Sequence, residues 1–150
     1  MLKEGDLAPD IQVDDDTGQA FDLTEMRGKR VVLFFYPRAN TPGCTLEAQE
    51  FRDAIGKFET KGAAVLGIST DTPKAQTTFK EKQSLPFTLL CDENKKVAQA
   101  YGVWKEKSMY GKTVMGIERT TFVIDEEGKI VKIFPKVKPA GHAEQVLEAL

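Results

Sequence analysis

The sequence predicts an α/β fold with a central mixed β-sheet flanked by helices, and three observations predict it. Residues 31–36, Val-Val-Leu-Phe-Phe-Tyr, form a short continuous apolar run of the kind that makes a strand buried on both faces. Strand-type and helix-type patterns then alternate to about residue 101, which calls for parallel strands joined by right-handed crossovers. After that point two strand patterns flank a glycine-containing turn, so antiparallel strands join the same sheet.

Each element has its own signal. Residues 37–43, Pro-Arg-Ala-Asn-Thr-Pro-Gly, interrupt the pattern after the first strand. In the helix that follows, with its body beginning near Leu46, Ala48, Phe51, Ala54, Ile55 and Phe58 recur at three- and four-residue spacing. Gly62 stands where that helix should be capped. Residues 63–69 read as a second strand, and Pro73 behind Thr72 opens a second helix with Phe79 on its apolar side. Residues 87–91 form a third strand and 95–101 a short helix. Residues 120–124 and 130–134 flank Asp125-Glu126-Glu127-Gly128-Lys129 as a hairpin, and a last amphipathic helix over 143–150 turns Val146, Leu147 and Leu150 inward. A βαβ half followed by a ββα half is the thioredoxin-like arrangement. No repeat, low-complexity tract or long linker interrupts it, so residues 1–150 read as one domain.

Composition narrows the chemistry. Lys+Arg 21 against Asp+Glu 23 leaves a net charge of −2, without the basic excess of a nucleic-acid binder. The two cysteines exclude a disulfide-rich scaffold and a four-cysteine zinc site, and the one histidine excludes a His-cluster metal site or a pair of catalytic histidines. The opening residues contain no apolar core of a signal peptide, and no apolar run approaches the ~20 residues that span a bilayer. A cytoplasmic, reducing setting is expected, in which the cysteines are working thiols or buried bystanders and not a structural bridge.

Cys44 is the candidate nucleophile. It lies between the first strand and the helix after it, on the side of an open α/β sheet where reactive groups gather. A cysteine in the first turn of a helix feels the positive end of the helix dipole and unpaired N–H groups, and both favour thiolate over thiol. Pro42 and Gly43 support that placement, one by stiffening the approach and the other by letting backbone N–H groups turn inward. The bland alternative is a small buried side chain.

The stretch Pro37-Arg38-Ala39-Asn40-Thr41-Pro42-Gly43-Cys44 fits P-x-x-x-T-x-x-C, and Arg119-Thr120-Thr121-Phe122-Val123-Ile124-Asp125 follows at the expected remove. Together they resemble the peroxiredoxins, specifically the bacterioferritin-comigratory-protein (PrxQ) subfamily, and the likeness extends over nearly the whole chain. The resemblance implies a thioredoxin-like (peroxiredoxin) fold and a thiol-dependent peroxidase. Cys44 would attack a peroxide oxygen and become a sulfenic acid. Thr41 would hydrogen-bond peroxide and sulfur, and Arg119 would hold the thiolate and polarise the O–O bond. Pro37 would wall the sulfur from water, the N–H groups of Gly43 and Cys44 would face the bound oxygen, and Glu47 would orient the arginine. Taken alone, Thr41 reads as a helix cap, Arg119 as a surface charge, and Glu47 as an acid favoured by the helix dipole. Arg38 adds positive potential or simply faces solvent.

The chain departs from the subfamily in its second thiol. The usual resolving cysteine lies five residues after the first, where Gln49 stands, and the other known position, around residues 78–82, holds no cysteine. Cys91, at the end of an apolar strand where relatives often carry Ser, reads first as a buried bystander and only second as a resolving thiol. A one-cysteine mechanism is therefore expected, with thioredoxin, glutaredoxin or a small thiol as reductant. Hydrogen peroxide and organic hydroperoxides both stand as substrates. No metal, haem or flavin, no nucleic acid and no membrane are expected, and the subfamily, together with the lack of a cysteine-bearing C-terminal extension, points to a monomer.

Other readings weaken on residue identities. A Cys-x-x-Cys reductase fails because position 47 is Glu, and a phosphatase loop fails because Glu50 stands where its Arg belongs. Tyr110-Gly111-Lys112-Thr113 echoes a phosphate loop but has Glu106 in place of the earlier Gly. His142 would have to lie beside Cys44 to serve a Cys–His enzyme, and its place at a helix start reads as solvated or capping. A peroxide sensor or redox relay, and a non-catalytic thioredoxin-like binding module, remain as alternatives. Retention of Thr41, Cys44 and Arg119 together argues against the module.

Overall fold

In chain order the elements are β1 (Gln12–Asp15), β2 (Ala20–Asp22), a 3-10 turn (Leu23–Met26), β3 (Arg30–Phe35), α1 (Pro42–Asp53), α2 (Ile55–Thr60), β4 (Ala63–Ser69), α3 (Pro73–Gln83), β5 (Thr88–Cys91), α4 (Lys96–Ala100), β6 (Trp104–Met109), β7 (Lys112–Ile117), β8 (Thr120–Ile124), β9 (Ile130–Phe134) and α5 (His142–Glu148). They come from a computed structural model that describes residues 2–150. Seven strands form one sheet in the order β2-β1-β5-β4-β3-β8-β9, and β6 and β7 form a separate two-stranded ribbon. Within the large sheet β3, β4 and β5 are parallel, and β8, β9, β1 and β2 pair antiparallel. The mixed α/β sheet expected from the sequence is the one observed.

Alternation along β3 explains why the sheet needs cover on both sides. Val32 and Phe34, with Tyr36 just beyond the strand, enter one core with Phe51, Phe58, Phe79, Val146 and Leu147 from α1, α2, α3 and α5. Val31, Leu33 and Phe35 enter the other with Ile11, Val97, Ala98, Val103 and Ile117. Phe34 stacks on Phe51 at 4.7 Å between ring centroids and meets Phe87 edge-on at 5.7 Å. Gly67 on β4 makes room for these rings, because a Cβ there would lie 2.9 Å from Phe34 Cζ and 2.8 Å from Leu89 Cδ2.

The expected second strand, second helix and late hairpin stand at their expected places, while three features differ. The helix expected from Ala48 to Phe58 is broken at Ala54, where ψ is 3° and the chain restarts as α2. Gly56, the weakest helix former in that stretch, follows two residues later. The β1–β2 hairpin was not expected, because its half-exposed, acidic strands carry little alternating apolar signal. The β6–β7 ribbon was also missed for its polar composition. The Tyr-Gly-Lys-Thr stretch set against a phosphate loop is its turn and the start of β7, with φ of 53° at Tyr110 and 75° at Gly111, the consecutive left-handed pair of a tight hairpin.

Candidate active site

Strand pairing builds the site at the end of two inner strands of the sheet. β3 and β8 run antiparallel with Phe35 opposite Thr120, so the end of β3 meets the beginning of β8. The loop and helix that carry Pro37, Thr41, Gly43 and Cys44 leave one strand there, and Arg119 enters the other. Two segments distant in sequence are thus forced together by register.

The geometry centres on Arg119. Its Nη2 donates to Cys44 Sγ at 3.4 Å, and its Nη1 donates to Glu47 Oε1 at 2.8 Å. Glu47 lies one helical turn after Cys44, and its side chain is fully buried. Burial pushes Glu47 up to about 7, against the opposing pull of Arg119. Burial would lower Arg119, but the charges of Glu47 and Cys44 outweigh it and hold the guanidinium above its ordinary value. The two directions agree once desolvation is separated from attraction: the pair attracts, and the carboxylate bears the greater burial cost. Glu47 Oε2 has no hydrogen-bond partner among the described residues.

Gly43 is needed for this approach. A Cβ there would stand 3.2 Å from Arg119 Nη2 and 3.5 Å from Pro139 Cγ. The first intrahelical bond of this turn runs from Thr45 N–H to Thr41 carbonyl at 2.9 Å, so the N–H groups of Gly43 and Cys44 precede the helical ladder. Thr41 is the N-cap of α1, yet its hydroxyl donates to Arg38 carbonyl at 2.8 Å and makes no cap bond among the described residues. With its proton placed there, Oγ1 is left as an acceptor. Pro37 is half-buried at the end of β3, and Arg38 is exposed. Cys44 is only 1% exposed, more enclosed than the partly open setting expected of a reactive thiol.

The remaining scarce residues lie apart. Cys91 is 4% exposed, in ladder register with Asp14 of β1 and Ser69 of β4. Burial, reinforced by Glu93, Asp16, Asp15 and Asp14, pushes its thiol up to about 12. Both cysteines are free. His142 is neither solvated nor a cap: it is buried, with Nε2 bonded to Thr121 Oγ1 at 2.7 Å and Nδ1 to Gln145 Oε1 at 3.1 Å. Both ring nitrogens are engaged away from Cys44, and the Phe51 and Phe134 rings pack against it edge-on. Burial lowers its pKa, which fits a neutral core imidazole.

Two groups near the site were not singled out from the sequence. Lys107 on β6 lies in the field of the site: burial, and then Arg119, lower its pKa against the smaller opposing pull of Cys44 and Glu118. Asp71, Ser69 and Gln76 form a hydrogen-bonded network reaching the loop before Cys44. In the sequence Ser69 reads only as the end of a strand, and Asp71 carries no signal of its own.

Residues 5–133 match the family model described as AhpC/TSA family. Peroxiredoxin Bcp of Bacillus subtilis is 45% identical over 149 residues, covering 99% of this chain and 95% of that protein. Peroxiredoxin Bcp of Escherichia coli K12 is 46% identical over 149 residues, covering 99% and 96%. Among solved structures, a cysteine-to-serine mutant of Xylella fastidiosa PrxQ superposes with a TM-score of 0.94 at 36% identity, covering 99% of this chain and 95% of that one. The bacterioferritin comigratory protein of Xanthomonas campestris, described for alkyl peroxide reduction, superposes with a TM-score of 0.88 at 40% identity, covering 93% and 88%.

Proposed function

Because the chain belongs to the AhpC/TSA family and is a thiol-dependent peroxidase of the peroxiredoxin class, we propose that it works by a one-cysteine cycle in which Cys44 is the peroxidatic nucleophile. The observation that carries this reading is the Arg119 guanidinium, which reaches Cys44 Sγ and Glu47 together.

In the first half-reaction the Cys44 thiolate attacks the nearer peroxide oxygen. The S–O bond forms as the O–O bond breaks, sulfur is oxidised by two electrons, and the departing oxygen takes a proton to leave as water or alcohol. Arg119 offsets negative charge as it moves from sulfur to the leaving oxygen. Thr41 Oγ1 accepts from the peroxide O–H, the Gly43 and Cys44 N–H groups face its oxygens, and Pro37 keeps water from the sulfur. Glu47 holds the guanidinium in register, acting through Arg119 rather than on substrate.

In the second half-reaction an external thiol attacks the sulfenic acid, releasing water and forming a mixed disulfide that a second thiol reduces. Gln49 stands five residues after Cys44, and its Nε2 donates to Gln83 Oε1 at 2.8 Å, tying α1 to α3 at that place. Cys91, with its thiol pushed up to about 12, is a poor nucleophile near neutral pH and is read as a bystander. Hydrogen peroxide and organic hydroperoxides are the proposed substrates, and thioredoxin, glutaredoxin or a small thiol the proposed reductant. Residues 1–150 are read as one domain acting as a monomer in the cytoplasm. No helix among the described residues is long and apolar enough to cross a membrane.

Intact mass after one equivalent of peroxide tests the cycle. Gain of one oxygen on Cys44 is expected, unchanged in Cys91→Ser. A loss of two hydrogens on the monomer, abolished by Cys91→Ser, overturns the one-cysteine reading. Peroxide turnover retained in Cys44→Ser overturns the site. Continuous turnover with a dithiol is expected, and stalling after one turnover with every reductant would favour a sensor.

A further inference from the structure

A chain of buried hydrogen bonds leaves the sheet on one side of Pro37 and returns on the other. Tyr36 hydroxyl donates to Gln76 Oε1 at 2.5 Å, and Gln76 Nε2 donates to Ser69 Oγ at 2.9 Å and to Leu90 carbonyl at 2.9 Å. Ser69 hydroxyl donates to Asp71 Oδ2 at 2.6 Å, and the same oxygen accepts from Ala39 N–H at 2.8 Å. Tyr36, Ser69 and Gln76 are fully buried. Burial holds the Tyr36 phenol well above its ordinary range, so it stays a donor.

The line of donors from Tyr36 through Gln76 and Ser69 runs toward the Asp71 carboxylate, with the second Gln76 amide proton given to Leu90 carbonyl, and an acceptor-only group suits the end of that line. Asp71 is itself fixed, because it sits between the last residue of β4 and the Thr72 N-cap of α3. Its own N–H donates back to Ser69 Oγ at 3.2 Å. The segment it grips has an irregular backbone. Asn40 has φ of 63°, the left-handed region, and Thr41 Oγ1 bonds only one turn back, to Arg38 carbonyl. The bond from Ala39 N–H, together with the packing of Ala39 in the core, ties the middle of this loop to the body of the protein.

We propose that Asp71 is a positioning residue for peroxide reduction: by holding Ala39 N–H it sets the loop that presents Thr41 and the first turn of α1 to the peroxide oxygens. The role rests on Cys44 being the nucleophile, and it acts through the loop without contact to sulfur or substrate.

The test compares two reactions of Cys44 in the full chain: oxidation by hydrogen peroxide, which needs the aligned loop, and alkylation by iodoacetamide, which needs only an accessible thiolate. Asp71→Ala is expected to slow oxidation by about 10- to 100-fold while alkylation stays within about 3-fold. Asp71→Asn keeps an acceptor for Ala39 and is expected to restore oxidation to within about 3-fold of the parent. Combined with Thr41→Val, Asp71→Ala should add less than its separate effect, since both act on one group. Equal slowing of both reactions, unchanged oxidation, or full additivity with Thr41→Val overturns the proposal. Should Asp71→Ala fail to fold, Ser69→Ala, which removes the brace on the carboxylate, carries the same comparison: a selective loss of about 3-fold or more supports the role, and an unchanged ratio overturns it. Cys44→Ser serves as control, because peroxide consumption persisting there defeats the nucleophile assignment and not the role of Asp71.

Discussion

Arg119 Nη2 and Cys44 Sγ lie 3.4 Å apart although 75 residues separate them in sequence. The contact is a product of sheet register, since β8 pairs antiparallel with β3 and delivers its first residues to the end from which the Cys44 loop departs. The same guanidinium binds Glu47 through its other terminal nitrogen, so one planar group joins the nucleophile to a buried anchor.

That double contact predicts how Arg119 tolerates change. Arg119→Ala should lower the second-order rate constant for Cys44 oxidation by about 10²- to 10³-fold, the usual cost of losing a preorganised charge donor. Arg119→Lys should recover only part of it, because a single ammonium cannot reach sulfur and Glu47 with the same fixed geometry. Stopped-flow oxidation by hydrogen peroxide measures both, and an Ala variant within about 3-fold of the parent would sink this account.

Gly43→Ala should separate activity from stability. A methyl at this position stands 3.2 Å from Arg119 Nη2, so the guanidinium must yield by a few tenths of an ångström. Helix propensity favours Ala over Gly by up to about 1 kcal/mol, less in a first turn. Oxidation is expected to slow by about 3- to 10-fold with no loss of melting temperature. A variant that loses both together would show that Gly43 serves the fold.

The parts of this arrangement that could be read in advance are those in which local pattern and burial coincide. The run at 31–36 announces a two-faced strand, and Thr72-Pro73 announces a helix start, because each signal is carried by adjacent residues. Cys44 could be placed at a helix start for the same reason. Arg119 could not be brought to it by pattern alone, since a charged residue before a strand looks like surface until register is known; family likeness supplied that link. β6 and β7 escaped because a protruding ribbon buries little and needs no apolar alternation. His142 was misjudged because its hydrogen-bond partner Thr121 and its aromatic neighbours come from distant elements. Asp71 was missed likewise, since its partner Ala39 is 32 residues away.

Gly67→Ala should be costly in a different way from Gly43→Ala. The added methyl meets Leu89 Cδ2 at 2.8 Å, Phe34 Cζ at 2.9 Å and Tyr36 Cε1 at 3.1 Å. Three buried side chains in a packed core cannot all retreat, and overpacking of this kind costs about 1–3 kcal/mol. The urea midpoint should fall with an unchanged slope. A midpoint matching the parent would show that the rings around Gly67 can repack.

Glu47 should leave a signature in the pH dependence of stability. Burial raises its folded value from 4.5 to about 7, so between those values the native state keeps a proton that the unfolded chain has released. The native state then binds more protons, and stability falls as pH rises through that window. At about 1.4 kcal/mol per unit, the loss reaches roughly 3 kcal/mol by the top of the window. His142 works in the opposite sense: burial lowers its pKa, so the unfolded chain holds the proton more readily and stability grows as pH rises toward 6.5. The two slopes partly cancel in the parent, which is why the parent curve alone is uninformative. Glu47→Gln removes only the falling contribution while keeping an acceptor for Arg119 Nη1. Subtracting urea-derived stabilities of parent and variant across this range should give a gap that opens above pH 4.5 in favour of the variant and levels off above about 7. Two parallel curves would mean that the buried carboxyl ionises as easily in the fold as outside it. In that case Arg119 offsets the whole cost of burying the charge.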